Sequence, residues 1–179
     1  KFLTPEMYFF GPTPYNPGLL YDNKIIYKRV VAGKLRRYFS IQNFFDLFKT
    51  GWGILGAIFD IFKIYPDVVF SKGGYGSFPV ILAAIVLRIP IFIHESDSAP
   101  GITNKFAGRF AKRIALSYKE ASAYFKKNEN IIAYTGQPIL EEKLSPITNN
   151  AFEFFEFDEN IPVIFVIGGS QGAITINNI

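Results

Sequence analysis

Along the chain, short runs of valine, isoleucine and phenylalanine alternate with stretches in which apolar residues recur every three or four positions. A run without polar interruption suits a strand covered on both faces, and the three-to-four spacing suits a helix with one apolar stripe. The runs predict strands over Met7–Phe10, Ile25–Val31, Asp67–Phe70, Ile91–His94, Ile114–Ser117, Ile131–Thr135 and Val163–Ile167. Strands separated by helical patterns are joined by crossovers, so the expected fold class is α/β with doubly wound parallel sheets.

One helical stretch stands apart. Between Ser40 and Lys63, the residues Ile41, Phe44, Phe45, Phe48, Trp52, Leu55, Phe59 and Phe62 recur at three- and four-residue steps, while Asp46, Lys49, Asp60 and Lys63 collect on the other side. So wide an apolar arc fits two arrangements. The helix packs on the sheet as a crossover, or its surplus aromatic flank rests on an anionic membrane surface beside the basic run that ends at Arg37. Both can hold on different flanks.

The alternation breaks between Pro138 and Pro162, a segment with Pro146, paired asparagines and no clear strand. A domain boundary is expected there, with residues 1–145 forming one α/β domain that lacks its first β-α unit, and 146–179 forming a linker and the start of a second domain. The chain opens at Lys1 and stops barely two turns into its last helical pattern, so it reads as an excerpt of a longer protein, truncated at both ends.

Composition narrows the class. At 179 residues and 49% apolar the chain can bury a good core. It has no cysteine, which excludes a disulfide framework and any thiolate metal or redox site. No uncharged apolar stretch approaches the roughly 18 residues of a spanning helix, and no secretory leader pattern opens the chain. The net charge of +4 is unevenly spread: Lys24–Arg37 carries six basic residues and no acid, whereas Glu153–Glu159 carries four acids. Nucleic acid is not expected as a partner, because the neighbouring aromatics sit at helical spacing instead of interleaving with the basic residues.

Two glycine-rich turns follow strands and precede helices, "VVFSKGGYGSFP" and "VIFVIGGSQGA". Ligands of an open α/β sheet bind outside the carboxyl ends of the strands, where such turns lie. Glycine lets the backbone approach a ligand closely, and the next helix offers unpaired N–H groups that favour phosphate. In the second turn Gly168 and Gly169 would clear space, Ser170 would offer a hydroxyl, and the amides of Gln171, Gly172 and Ala173 would face a diphosphate. The plain structural reading, a glycine at a strand-helix corner, fits the same residues, and neither turn is a G-x-G-x-x-G fingerprint.

The only histidine, His94, ends a strand beside Glu95 and a Ser-Asp-Ser-Ala-Pro-Gly loop. It is either a satisfied strand-end histidine or part of the ligand crevice, and the polarity of the loop favours the crevice. Glu95 and Asp97 imitate an acid-x-acid metal pair, but a pair without a third ligand is a thin basis for a metal, and none is expected.

The ordered segments "GKLRRYF", "PDVVFSKGGYGSFPV", "IPIFIHESDSAPGITNK", "TGQPI" and "VIGGSQGA" resemble the MurG family, the peptidoglycan branch of glycosyltransferase family 28, over nearly the whole chain. The resemblance implies two Rossmann-like domains of GT-B type facing a cleft, and an inverting enzyme that moves N-acetylglucosamine from UDP-N-acetylglucosamine to lipid I, forming lipid II for the cell wall and so for cell shape and division. It places Gly74 and Tyr75 in the middle glycine turn and His94, Glu95, Asp97 and Asn104 on the acceptor wall, with His94 and Glu95 as catalytic candidates. Gly169, Ser170, Gln171, Gly172 and Asn177 fall in the turn and helix that meet the donor. It also implies that the general base lies before Lys1, that no cofactor or metal is required, and that the enzyme sits peripherally on the anionic cytoplasmic leaflet of the cell membrane. Two positions depart from the family: Asp97 stands where many members have asparagine, and Leu140 where many have an arginine tied to the donor diphosphate.

Two other readings remain open on the residues alone. Another family 28 glycolipid glycosyltransferase would share the fold, and a non-catalytic, membrane-recruiting subunit that binds nucleotide-sugar would share the turns. A glycine-rich turn with a histidine upstream of Lys1 would separate enzyme from subunit.

Overall fold

The computed structural model describes residues 5–33, 41–139, 151–158, 160–164 and 166. The chain divides into two compact units, Lys1–Pro138 and Ile139–Ile179. The expected boundary at 145/146 lies outside the described residues.

In the first unit, six strands form two parallel sheets. β1 (Met7–Gly11) pairs with β2 (Ile25–Arg29), Met7 lying opposite Ile25 and Gly11 opposite Arg29. Between them, α1 (Pro17–Asp22) starts at Asn16, whose side chain accepts the Leu19 N–H at 3.1 Å, with Pro17 supplying a preset first turn. The second sheet has the order β3 (Val69–Ser71), β4 (Ile91–Glu95), β5 (Arg113–Leu116), β6 (Ile132–Tyr134). All its pairings are parallel, with Phe70 opposite Phe92, Ile93 opposite Ile114, and Ile114 opposite Ile132. Parallel strands need crossovers. These are supplied by α3 (Phe78–Val86), by α4 (Ile102–Ala107) and by a run of 3-10 turns over Lys119–Ile131. The core is aliphatic: Ile91 and Ile93 of β4 and Ile114 and Leu116 of β5 meet Ile81, Ala83 and Ala84 of α3.

The long helix α2 (Ile41–Ile64) packs mainly against α3, and it does so with the face opposite to its aromatic arc. Its buried stripe is Asp46, Thr50, Gly53, Ala57 and Ile61. Small residues let the chain leaving β2 cross close above: a β-carbon at Gly53 would run into the carbonyl of Val31, and the Thr50 hydroxyl accepts the Gly33 N–H at 3.0 Å. At about 100° per residue, Phe44, Phe48, Trp52, Leu55, Phe59 and Phe62 fall within roughly a quarter of a turn on the other side. All are exposed, Trp52 by 75%. The crossover reading of that arc is therefore overturned: α2 is a crossover helix, but it packs through its small residues. No helix among the described residues is long and apolar enough to cross a membrane.

In the second unit the described residues contain one short helix, α5 (Ala151–Phe154), followed by the stacked rings of Phe155 and Phe157. The seventh expected strand is not found where it can be examined. Residues 163, 164 and 166 are described and belong to no strand, while 165 and 167 lie outside. A strand is defined by a partner's ladder, and no partner for these residues exists among the described ones.

Candidate functional site

In a parallel sheet all carboxyl ends lie along one edge, which here gathers the ends of β3, β4, β5 and β6. Because side chains alternate across a strand, His94 and Glu95 at the end of β4 point to opposite faces. Both are buried, at 5% and 4% exposure, and each is held by its own set of partners.

His94 ties the strand ends together. Its Nδ1 lies 2.8 Å from the Lys72 ammonium, just past β3, and its Nε2 lies 3.1 Å from the Gly136 carbonyl oxygen, just past β6. An ammonium can only donate and a carbonyl oxygen can only accept, so Nδ1 is the acceptor and Nε2 carries the proton. The imidazole is neutral, with both nitrogens engaged. Around it, Lys72 Nζ donates to the Ser96 hydroxyl at 2.6 Å, and the Ser117 hydroxyl donates to the Gly136 carbonyl at 3.2 Å. Gln137 reaches back to the Ser96 carbonyl at 2.7 Å.

Glu95 holds the loop and helix that follow it. One carboxylate oxygen accepts the Asp97 N–H at 3.0 Å, and the other accepts the Asn104 amide at 2.9 Å. Asn104, 2% exposed on α4, also reaches the His94 carbonyl at 3.4 Å. Its own Oδ1 is buried without a donor. That amide lies against Gly73, where a β-carbon would come within 2.8 Å of it.

The middle glycine turn has its expected conformation. Gly73 and Gly74 have φ of 84° and 86°, a region that side chains disfavour, so the Gly-Gly pair is what permits this corner. Tyr75 is exposed at the start of a 3-10 turn, Tyr75–Ser77, that leads into α3. Asp97 is exposed, so only Glu95 of the acid-x-acid pair lies in the buried network. Among the described residues no group of three or more His, Asp or Glu could hold a metal. Gly74, Tyr75, His94, Glu95, Asp97 and Asn104 are thus gathered at one strand-end corner, whereas Gly169, Ser170, Gln171, Gly172, Asn177 and Leu140 lie outside the described residues. Lys72, Ser96, Ser117 and Gly136 were not singled out by sequence reasoning. The one available signal was a lysine directly before the glycine pair.

Comparison with known proteins places this corner in context. The family model described as the glycosyltransferase family 28 N-terminal domain matches residues 15–116. The chain is 42% identical over 153 residues to a UDP-N-acetylglucosamine--N-acetylmuramyl-(pentapeptide) pyrophosphoryl-undecaprenol N-acetylglucosamine transferase of Bacillus thuringiensis, covering 86% of this chain and 43% of that one. It is also 42% identical over 149 residues to the transferase of that name from Legionella pneumophila, covering 83% and 41%. The chain thus spans less than half the length of these curated relatives. The crystal structure of Acinetobacter baumannii MurG is similar in fold, with a TM-score of 0.55 and 24% identity over 77% of this chain and 38% of that one.

Proposed function

Because this chain belongs to glycosyltransferase family 28 and carries its N-terminal domain, we propose that the whole protein is a UDP-sugar hexosyltransferase that moves N-acetylglucosamine from UDP-N-acetylglucosamine to lipid I, undecaprenyl-pyrophosphoryl-N-acetylmuramyl-pentapeptide. The observation that carries this reading is the 42% identity, sustained over 86% of the chain, to transferases named for that reaction.

The reaction is a displacement with inversion. A hydroxyl oxygen of the acceptor sugar attacks the anomeric carbon of the donor, the bond from that carbon to the diphosphate oxygen breaks, and its electron pair leaves with UDP. A base takes the hydroxyl proton. The engagement of both nitrogens of His94 supports assigning it, with Glu95, to shaping the acceptor corner instead of taking that proton. Gly74, Tyr75, Asp97 and Asn104 belong to the same acceptor corner. The turn at Gly169, Ser170, Gln171 and Gly172, with Asn177 in the following helix, binds the donor diphosphate through backbone N–H groups, so no metal is required.

The enzyme works at the anionic inner leaflet of the membrane, where its lipid acceptor is anchored. What supports this is the exposed aromatic face of α2, with Lys49 and Lys63 on the same helix and the basic run Lys34, Arg36 and Arg37 just before it. The decisive assay uses the full-length protein, labelled UDP-N-acetylglucosamine and a lipid I analogue in the presence of a chelator. Label appearing in a lipid II-sized product is expected. Absence of transfer with and without divalent metal would reject the reading, and transfer only on adding metal would reject the metal-free mechanism.

A further inference from the structure

The charge on Lys72 has no counter-ion. Its ammonium donates to His94 Nδ1 and to the Ser96 hydroxyl, both neutral, and no carboxylate of the described residues lies within ion-pair distance. Two of its three donors are occupied and one is free. The nearby carboxylate, Glu95, points to the opposite face of β4 and is engaged by Asn104 and the Asp97 amide. A lysine with purely structural work is expected to find an acid or to extend into water. Here a positive charge is instead held at the corner by acceptors that leave it uncompensated.

The backbone beside it is arranged to the same end. Gly73 and Gly74 are consecutive positive-φ residues. The Gly73 N–H is taken by the Ser71 hydroxyl at 3.0 Å, but that of Gly74 makes no hydrogen bond among the described residues. Nothing lies within 4 Å of where a Gly74 β-carbon would be. Ser77, at the start of α3, does not cap the helix; its hydroxyl donates to the Gly74 carbonyl at 2.9 Å. A turn of this kind, ahead of a helix N-terminus, forms a concavity that suits an anion. On its other side lies Asn104, almost wholly buried, with Oδ1 pressed against Gly73 and no donor to satisfy it. An unpaired acceptor beside an unpaired ammonium and an unpaired amide marks a corner with ligand-side partners for both signs: an anion for Lys72 and Gly74, and a hydroxyl for Asn104.

We propose that Lys72 is the cation of a diphosphate subsite at the Ser71–Ser77 turn, resting on His94 and Ser96 until a sugar diphosphate takes it up. The assignment rests on the proposed glycosyl transfer, whose two substrates both carry a diphosphate. The flexible four-carbon stem lets the ammonium exchange a neutral acceptor for a phosphate oxygen without moving the strand. It also supplies a positive charge where Leu140 removes one that family members commonly have.

The test compares the full-length parent with Lys72→Met and Lys72→Arg, which keep the stem, the second keeping the charge as well. With a short-chain lipid I analogue, Lys72→Met should raise the acceptor KM by about 10- to 100-fold, the range expected for losing a hydrogen bond to a charged group, and lower kcat less. Lys72→Arg should recover most of that loss, which a merely structural role for the stem would not produce. If the KM for UDP-N-acetylglucosamine rises in place of the acceptor's, the subsite stands and the diphosphate is the donor's. If neither KM moves, the proposal is overturned. Should the parent transfer no sugar at all, the proposed reaction fails but the subsite is still decided by calorimetry with inorganic pyrophosphate. Affinity lost in Lys72→Met and kept in Lys72→Arg supports it, and equal affinity in all three rejects it.

Discussion

Glu95 has one donor on each oxygen, so it cannot change its chemistry without leaving one of them unpaired. In Glu95→Gln the amide group can turn its oxygen to Asn104 or to the Asp97 N–H, and its NH2 then faces the other donor. A loss of about 1–3 kcal/mol is expected from the full-length protein in urea unfolding, the usual range for a buried polar group left without its partner. An unchanged midpoint would mean that the network is looser than its distances indicate. A second single-residue prediction concerns the donor turn. Gly169→Val should weaken UDP binding sharply in calorimetry while leaving the unfolding midpoint in place, and equal affinity would remove that turn from the donor site. His94, Glu95 and Asn104 were legible in the sequence because a polar loop at a strand's carboxyl end falls in the crevice by topology alone. Lys72, Ser117 and Gly136 were not, because they meet His94 across 22, 23 and 42 residues of chain, and only the strand order brings them there.

At the scale of the element, α2 separates two kinds of information. Its existence and length follow from periodicity, which registers that apolar residues share a face. Periodicity carries nothing about what covers that face, and the stripe that packs is instead Asp46, Thr50, Gly53, Ala57 and Ile61, too small and mixed to stand out in a hydropathy pattern. Two substitutions on opposite sides should therefore behave in opposite ways. Replacing Phe48 and Trp52 together by glutamate should leave the unfolding midpoint within about 0.5 kcal/mol of the parent, as is usual for exposed sites, while abolishing co-sedimentation with anionic vesicles. Gly53→Leu should destabilise by several kcal/mol, because its side chain meets the Val31 carbonyl and one of the two backbones must shift. Vesicle binding by the double glutamate variant equal to the parent's would exclude this face as the docking surface.

In the whole molecule, six of the seven expected strands occur within a residue or two of their predicted ends, since continuous apolar runs need cover on both faces and a parallel sheet supplies it. Neighbour relations are a different matter. A hydrophobic run says that a strand exists, not which strand lies beside it, and the pairings found divide six strands into a pair and a set of four. Two sheets have four outer ladders among the described residues, those of β1, β2, β3 and β6, where one continuous sheet of six would have two. Each is a row of backbone groups able to recruit another chain, and β3 adds the exposed ring of Phe70. In colloidal terms the valence is doubled. A particle with two adhesive edges grows only into linear chains, whereas one with four can branch into a network. Residues 1–179 prepared alone should accordingly show light scattering that rises steeply with concentration and passes into a gel or precipitate, and a dilution series that stays monodisperse would show that these edges are already blunted.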